Sequence, residues 1–360
     1  MTDRVTLERK SFLLPVDHGL FNNCHASTIV TLPGERRLVA FFGGAREAAG
    51  DVAIWLVAGQ GEAWSAPRRL MAEEGLAHWN PVLHVEGEVV WLFYKVGPDV
   101  HSWVTRWAMS RDGGETWSAP RPLVAGDSAP RGPVRNKLLV MSDGAWLAPA
   151  SIEGRDHWDC FVDISADRGA SWQRAEIPFD HRPPAAGGDG AVWSGLAAQA
   201  LWETDPVKVF HWDGIIQPTA WESAPGRIHM LMRSTRGELY RSDSEDFGRS
   251  WCAAYPGGIV NNNSGVDLAA LPGGTLALAY NPVQGNWGAR SPLSLALSRD
   301  NGRSFGRGLD LETGEGEFSY PAIVAAQGKL HLTYTFNRKS IVYCRLRPGG
   351  DAQDSAPPVR

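Results

Sequence analysis

An eight-residue pattern recurs four times along the chain and constrains its fold more than any other feature. The pattern is Ser-x-Asp-x-Gly-x-(Thr/Ser)-(Trp/Phe), and its copies are Ser110–Trp117, Ser165–Trp172, Ser244–Trp251 and Ser298–Phe305. The aspartate carboxylate can accept hydrogen bonds from turn amides, the glycine takes a positive φ, and the aromatic ring packs beneath the turn. We therefore expect each copy to close a β-hairpin.

The spacing of the copies indicates a repeat architecture. The pattern aspartates Asp112, Asp167, Asp246 and Asp300 are separated by 55, 79 and 54 residues. A four-stranded blade of a β-propeller takes about 50 residues. The longer interval contains a Pro/Gly-rich insertion at His181–Gly190.

Six strand-like segments of small, polar and β-branched residues begin the repeat units. They are Cys24–Val30, His78–Leu83, Val134–Leu139, Ile216–Trp221, Asn263–Leu268 and Phe318–Ile323. We therefore predict an all-β chain that forms a single six-bladed β-propeller over residues 1–348. Residues 349–360, rich in Pro and Asp, are predicted to be a disordered tail.

Composition supports this fold class and excludes several functions. The chain has 16 Trp, 40 Gly and 24 Pro, a combination that long helices do not tolerate. A formal net charge of −5 gives no basic surface for nucleic acid or an anionic membrane. The N-terminal segment has no apolar run typical of a signal peptide or membrane helix, which predicts a cytoplasmic protein.

The four cysteines indicate neither a metal site nor redox chemistry. Cys24, Cys160, Cys252 and Cys344 are far apart and show no CxxC pairing. We expect no cofactor, and we expect a monomer or a dimer.

The first strand of each propeller blade lines the central channel, so polar residues on these strands face one another. On or beside the six segments lie His25, Asn80, Arg135, Asn136, Lys137, Gln217, Asn263, Asp267, Glu317 and Tyr320. Any one of these groups could be satisfied by backbone and water. Together they are too many for ordinary buried strands and indicate a substrate-binding funnel.

The four turns, with Arg233, Arg290 and Tyr320, resemble the sialidase (neuraminidase) superfamily over nearly the whole chain. The resemblance is to BNR-repeat, sialidase-like proteins with Asp-box turns. It implies that Arg233 and Arg290 are the second and third arginines of a carboxylate clamp. It also implies that Tyr320, in FSYPAI, is the nucleophile and Asp51 the acid/base.

Two positions depart from that pattern. His25 replaces the first clamp arginine, and Gln217 stands where a glutamate would activate the tyrosine. Glu222, five residues later, is a less well aligned carboxylate. A glutamine side chain cannot take a proton from the phenol, so the sequence predicts a non-standard site.

The resemblance implies an exo-acting, glycan-cleaving enzyme whose substrate is an oligosaccharide or glycoside with a carboxylated sugar. Arginine pairs bidentately with a carboxylate, which could belong to a sialic acid or a uronic acid. We take Tyr320, His25, Asp51 and Gln217 as candidate catalytic residues. The other polar residues of the funnel, with Arg233, Arg290 and His78, are candidate substrate-binding residues.

Alternative functions remain open on the sequence alone. One is a uronate-directed lyase or a rhamnosyl-glucuronate-cleaving enzyme, in which Tyr320 or His25 abstracts the proton beside the carboxylate. Another is a non-catalytic sugar-binding propeller. His25, His78 and Asp51 could instead bind a metal, although they form no dedicated motif. Trp79, Trp193 and Trp287 are candidates for stacking on sugar rings.

Overall fold

The computed structural model describes residues 5–182, 212–306 and 308–349. Most of the predicted insertion, Trp193 and nearly all of the predicted tail lie outside these residues. In the described part the regular structure is β-strand, with one short 3₁₀ turn at Pro272–Gly274. None of the helical structure in these ranges has the length and apolarity needed to span a membrane.

The chain is therefore all-β in the part that is described, as the turn pattern predicts. In chain order the strands are β1 (Thr6–Phe12), β2 (Asn23–Leu32), β3 (Arg36–Gly44), β4 (Ala53–Gln60), β5 (Ala63–Trp64), β6 (Arg68–Met71), β7 (Ala77–Glu86), β8 (Val89–Gly97), β9 (Val104–Ser110), β10 (Arg121–Pro122), β11 (Leu139–Val140), β12 (Trp146–Glu153), β13 (His157–Ser165), β14 (Gln173–Glu176), β15 (Asp213–Ala224), β16 (Arg227–Ser234), β17 (Glu238–Ser244), β18 (Tyr255–Val260), β19 (Asp267–Ala270), β20 (Leu276–Tyr280), β21 (Leu293–Ser298), β22 (Leu309–Glu312), β23 (Phe318–Ala326), β24 (Lys329–Phe336) and β25 (Ser340–Arg347).

The strands follow one another through antiparallel sheets. Strands β2 to β6, β7 to β10 and β19 to β22 each form a sheet. A larger sheet contains β11 to β18, in which two antiparallel groups are joined by a short parallel pairing of His157 with Asp213 and Trp158 with Gly214. The last sheet has the order β1-β25-β24-β23, so the first described strand pairs with the last one.

Strand β3 illustrates how the sheets are buried on both faces. Its residues Leu38, Ala40 and Phe42 lie in one core cluster with side chains of β7 and β8, whereas Val39 and Phe41 lie in another with side chains of β23 and β25. Successive strand side chains point to opposite faces, so this sheet packs between two neighbouring sheets. Burying one Leu or Phe side chain contributes about 1.5–3 kcal/mol, which makes this packing the main source of stability.

The first octapeptide turn packs against the neighbouring sheet. In the first copy, Asp112 Oδ1 accepts hydrogen bonds from Ser110 Oγ at 2.7 Å and from the Thr116 amide at 3.0 Å. Gly114 has a φ of 95°, and a Cβ at this position would lie 2.6 Å from Leu38 Cδ1 in the neighbouring sheet. Glycine is therefore required here both for the backbone conformation and for the close approach.

Four of the six predicted first strands are confirmed as β2, β7, β15 and β23, but the other two predictions are wrong in extent. Strand β11 begins only at Leu139, and β19 only at Asp267. Within the first segment and just before the second, side-chain amides bond to carbonyl groups of neighbouring segments. Asn136 Nδ2 donates to Pro218 O at 3.0 Å, and Asn262 Nδ2 donates to Ala289 O at 2.6 Å.

Candidate active site

Three of the first strands are irregular at corresponding positions. Each irregularity changes the direction of a polar side chain and so breaks the regular alternation of side chains along the strand. Strands β7, β15 and β23 each have a break in register at a residue with positive φ, namely Asn80 (42°), Gln217 (54°) and Tyr320 (52°). A left-handed backbone costs a residue of this kind about 1–3 kcal/mol, and such residues concentrate at functional sites. Proline follows all three residues. Because proline cannot donate to the strand ladder, it favours such a bulge.

Three arginines surround the ring of Tyr320. The guanidinium carbons of Arg135, Arg233 and Arg290 lie 5.0, 5.6 and 5.5 Å from the ring centroid. Tyr320 itself is 9% exposed, and its hydroxyl oxygen accepts a hydrogen bond from Arg233 Nη1 at 2.5 Å. The structure thus brings together two arginines and the tyrosine that the family resemblance singled out, and it adds Arg135.

A fourth arginine joins them through a shared carboxylate. Glu317 Oε1 accepts hydrogen bonds from Arg290 Nη1 at 2.6 Å and from Arg338 Nε at 2.8 Å. Arg338 also forms an ion pair with Glu47. Burial alone would raise the pKa of Glu317, but Arg290 and Arg338 outweigh it and lower that pKa to about 2. We refer to Arg135, Arg233, Arg290 and Arg338 as the arginine cluster.

His25 lies against Tyr320 as a neutral imidazole. The two ring centroids are 4.1 Å apart, and His25 Nδ1 is 2.9 Å from Thr335 Oγ1. Burial, and then the positive charges of the arginine cluster, hold the pKa of His25 well below its usual value. Nε2 is buried and has no hydrogen-bond partner in the described part of the chain. When Nδ1 carries the proton, Nε2 can accept a hydrogen bond from a bound molecule.

Arg233 differs from Arg290 in the charge of its partners. It donates from Nε to Asn263 Oδ1 at 2.8 Å, and from Nη1 to Gln217 Oε1 at 3.1 Å and to Tyr320 Oη. All three are neutral groups, whereas Arg290 is already paired with Glu317. A buried guanidinium with neutral partners is suited to bind an anionic ligand group.

Gln217 also links the site to a carboxyl that the sequence had not indicated. Its Nε2 lies 3.4 Å from Oε1 of Glu153, the last residue of β12. Burial raises the pKa of the Glu153 carboxyl, Arg233 opposes the rise, and the nearby Glu47 adds to it.

Other predicted residues of the funnel are bonded to one another. Asp267 accepts hydrogen bonds from Lys137 Nζ at 2.7 Å, Thr219 Oγ1 at 2.9 Å and the Ile323 amide at 2.8 Å. Asn136 donates to the carbonyl oxygens of Gln217 and Pro218. These contacts join four separate segments of the chain and fix their positions relative to one another at the site.

Arg135 also bonds to a neighbouring segment, and one of its hydrogen-bond donors has no partner among the described residues. Its Nη2 donates to Pro321 O at 2.6 Å, and Nη1 donates to Asn136 Oδ1. Its buried Nε has no hydrogen-bond partner among the described residues. Burial lowers the pKa of Arg135 to about 10, so the guanidinium stays charged at neutral pH.

Two of the predicted residues are held by backbone groups. His78 Nδ1 lies 3.2 Å from Val52 O and 3.1 Å from Leu76 O, so this nitrogen carries the proton. Asp51 is exposed, and its Oδ2 accepts from the Ala45 amide at 2.9 Å. Within the described ranges, no group of three or more His, Cys, Asp or Glu side chains is arranged to hold a metal ion.

Three tryptophans lie beside Arg233. The Trp158 ring centroid is 5.5 Å from that of Trp212 and 6.3 Å from that of Trp287, and the Arg233 guanidinium carbon is 6.0 Å from it. Trp287 thus belongs to an aromatic wall next to the arginines. Trp79, by contrast, is buried in the core between sheets.

The sequence analysis missed Arg338, Glu47 and Glu153. Arg338 lies in the turn between β24 and β25, Glu47 lies in the loop after β3, and Glu153 ends a second strand. None of these positions belongs to a first strand. The sequence contains one signal that points to the site. A proline follows each of Asn80, Gln217 and Tyr320, and these pairs mark the bulges in the first strands.

Comparison with known proteins agrees with this arrangement of strands. Residues 35–332 match the family described as BNR repeat-like domain. None of the curated proteins matches the chain significantly. A protein of unknown function from Dyadobacter fermentans has a similar structure, with a TM-score of 0.71 at 14% identity, covering 96% of this chain and 99% of the other.

Two solved sialidases are also similar. The Hadza microbial sialidase Hz136 has a TM-score of 0.72 at 15% identity, covering 94% of this chain and 68% of the sialidase. The Trypanosoma rangeli sialidase in complex with sialic acid has a TM-score of 0.64 at 15% identity, covering 92% of this chain. This chain spans only 55% of that sialidase. The chain therefore belongs to the BNR repeat-like domain family and has a sialidase-like β-propeller fold.

Proposed function

We propose that this protein is an exo-acting enzyme that cleaves a glycosidic bond next to a carboxylated sugar. The observation that carries the proposal is the placement of Arg135, Arg233 and Arg290 around Tyr320, with the neutral His25 against the same ring. A sialidase of similar fold has been solved with sialic acid, which is a carboxylated sugar.

Arg233 is the principal carboxylate ligand in this proposal, with Arg290 beside it. Arg233 has neutral hydrogen-bond partners, so an incoming carboxylate meets a charge to which no carboxylate of the described residues is hydrogen-bonded. Because both guanidiniums are buried, the bound carboxylate would be shielded from water, which strengthens the attraction. Trp287 and its aromatic neighbours would then lie beside the sugar.

Two reactions are compatible with these groups. In a hydrolysis, Tyr320 would attack or stabilise the sugar carbon, as the sialidase resemblance implies, and Asp51 remains the predicted acid/base. In an elimination, the arginines would acidify the C–H beside a uronate carboxylate, and His25 Nε2 would remove that proton. His25 Nε2 has no partner among the described residues, but the low pKa of this imidazole makes it a weak base, so the elimination depends on the arginines to acidify the C–H.

We also propose that the chain forms a single six-bladed propeller over residues 1–348. Six successive groups of antiparallel strands support this fold when the two halves of the large sheet are counted as two groups. In such a closed arrangement the pairing of β1 with β25 would join the two ends of the ring.

Product analysis tests the proposed function. The purified protein is incubated with sialosides and with disaccharides that contain a uronic acid, and the products are identified by mass and by ultraviolet absorbance. Released sialic acid would indicate hydrolysis, and an absorbing unsaturated uronate would indicate elimination. If sugars bind but no product forms with any substrate, the protein is a sugar-binding propeller and the enzymatic proposal is wrong.

A further inference from the structure

Glu153 is connected to Tyr320 by a short chain of polar contacts. Its Oε1 is 3.4 Å from Gln217 Nε2, Gln217 Oε1 is 3.1 Å from Arg233 Nη1, and the same Nη1 is 2.5 Å from Tyr320 Oη. A carboxyl group is therefore present beside the residue that interrupts the family pattern, although it comes from β12 and Gln217 from β15.

The other carboxylates near the arginine cluster are bound by cationic side chains. Glu317 accepts from Arg290 and Arg338, and Glu47 is paired with Arg338. Asp267 is paired with Lys137. For Glu317, the two arginines lower the pKa to about 2 against the effect of burial.

Glu153 is placed differently. No arginine or lysine among the described residues donates a hydrogen bond to its carboxyl, and the one recorded side-chain donor is the neutral Gln217 amide. Its charged neighbours are Arg233, Glu47 and His101, and the buried Lys95 lies within electrostatic reach. Burial is the largest influence and raises the pKa of Glu153, so the proton is retained to higher pH.

We propose that Glu153, in place of Asp51, is the residue that donates a proton to the leaving glycosidic oxygen, and that Gln217 positions it. Gln217 Nε2 donates to Oε1, which leaves Oε2 to carry the acidic hydrogen. The inference rests on the proposed function, but it does not depend on whether the sugar carbon is hydrolysed or the bond is eliminated, because the departing oxygen needs a proton in both reactions.

The step balances in both reactions. As the C–O bond breaks, its electron pair stays on the oxygen, which takes the Glu153 proton and leaves as an alcohol. In a hydrolysis, water adds to the sugar carbon and its released proton restores the carboxyl group. In an elimination, the electron pair of the C–H bond forms the new double bond. Its proton goes to His25 and then to water, and water reprotonates Glu153.

Leaving-group dependence tests this assignment. Glu153→Gln is compared with the wild type on an unactivated disaccharide and on a matched nitrophenyl substrate, whose leaving group departs without a proton. For hydrolysis this is the 4-nitrophenyl glycoside of the same sugar. For elimination it is the uronate with 4-nitrophenol bound through oxygen at the ring carbon that loses the leaving group. General acid catalysis is worth about 10²- to 10⁴-fold. We expect kcat/KM to fall by about that factor on the disaccharide and by less than about tenfold on the matched nitrophenyl substrate. The decline of the wild-type rate with rising pH should also be absent in the variant.

Glu245→Gln is the matched control, since Glu245 is an exposed residue of the octapeptide turn Ser244–Trp251. It should behave as the wild type on both substrates. If Glu153→Gln lost the same factor in kcat/KM on the two substrates, the assignment would be overturned. It would also be overturned if the loss depended on the leaving group in Asp51→Asn and not in Glu153→Gln. A wild type inactive on every glycoside would instead overturn the proposed function, and this inference with it.

Discussion

Replacing Arg233 by alanine is expected to reduce kcat/KM for a carboxylated sugar by roughly 10²- to 10³-fold. Loss of one partner of a buried, hydrogen-bonded charge pair costs about 2–5 kcal/mol, and about 1.4 kcal/mol corresponds to a factor of ten. The fold should survive, because the hydrogen-bond partners that Arg233 leaves behind, Asn263, Gln217 and Tyr320, are neutral side chains. Steady-state kinetics and the circular dichroism of the variant check both statements.

Two further variants test whether the positive charge of Arg233 is sufficient and whether the effect is specific to this arginine. Arg233→Lys keeps the positive charge but loses the planar donor pair, so it should recover only part of the lost activity. Arg174→Ala removes an arginine whose side chain pairs with Glu176, away from the arginine cluster, and should have wild-type kinetics. If Arg233→Ala and Arg174→Ala were both as active as the wild type, Arg233 could not be the carboxylate ligand.

Replacing Asp267 by leucine is expected to lower the free energy of unfolding by about 3–5 kcal/mol, the usual cost of removing one partner from a buried ion pair. Asp267 is 2% exposed and receives hydrogen bonds from Lys137, Thr219 and Ile323, which belong to three different segments. Urea denaturation measures the loss. Asp267→Asn, which keeps an acceptor oxygen, provides a milder variant if the leucine protein fails to fold.

The charge left on Lys137 should account for part of that loss. In the double variant Lys137→Met, Asp267→Leu, the Lys137 charge is removed as well and only the weaker loss at Arg135 remains, so stability should recover partially relative to Asp267→Leu alone. A loss below about 1 kcal/mol in Asp267→Leu, within the range of an ordinary surface substitution, would show that these contacts do not hold the segments together.

The all-β fold could be predicted because its signals are local. Each octapeptide turn contains its own acceptor, glycine and aromatic residue, and strands such as β2 and β23 have regular stretches of apolar residues. Val134–Leu139 was predicted as a strand for the same reason. There, however, Arg135 and Asn136 use their side chains to reach carbonyl groups of neighbouring segments, and pattern analysis cannot detect such contacts.

The site was predictable only where residues lie on first strands or match the family pattern. Tyr320, His25, Arg233 and Arg290 do meet in the structure. Arg338 and Glu153 come from a turn and a strand end that are distant in sequence, and only the packing of neighbouring sheets brings them to the same place. His78 stays a prediction: its Nδ1 faces two backbone carbonyl oxygens, and its buried Nε2 has no hydrogen-bond partner among the described residues.

The most direct test of the account is a calorimetric titration with a carboxylated sugar and with its methyl ester, using both sialic acid and glucuronic acid. The ester keeps the ring and hydroxyl groups but has no negative charge. We predict that one of the free acids binds at least tenfold more tightly than its ester, and that Arg233→Ala abolishes this difference. Equal affinities of acid and ester for both sugars would contradict the central claim that the arginine cluster binds a sugar carboxylate.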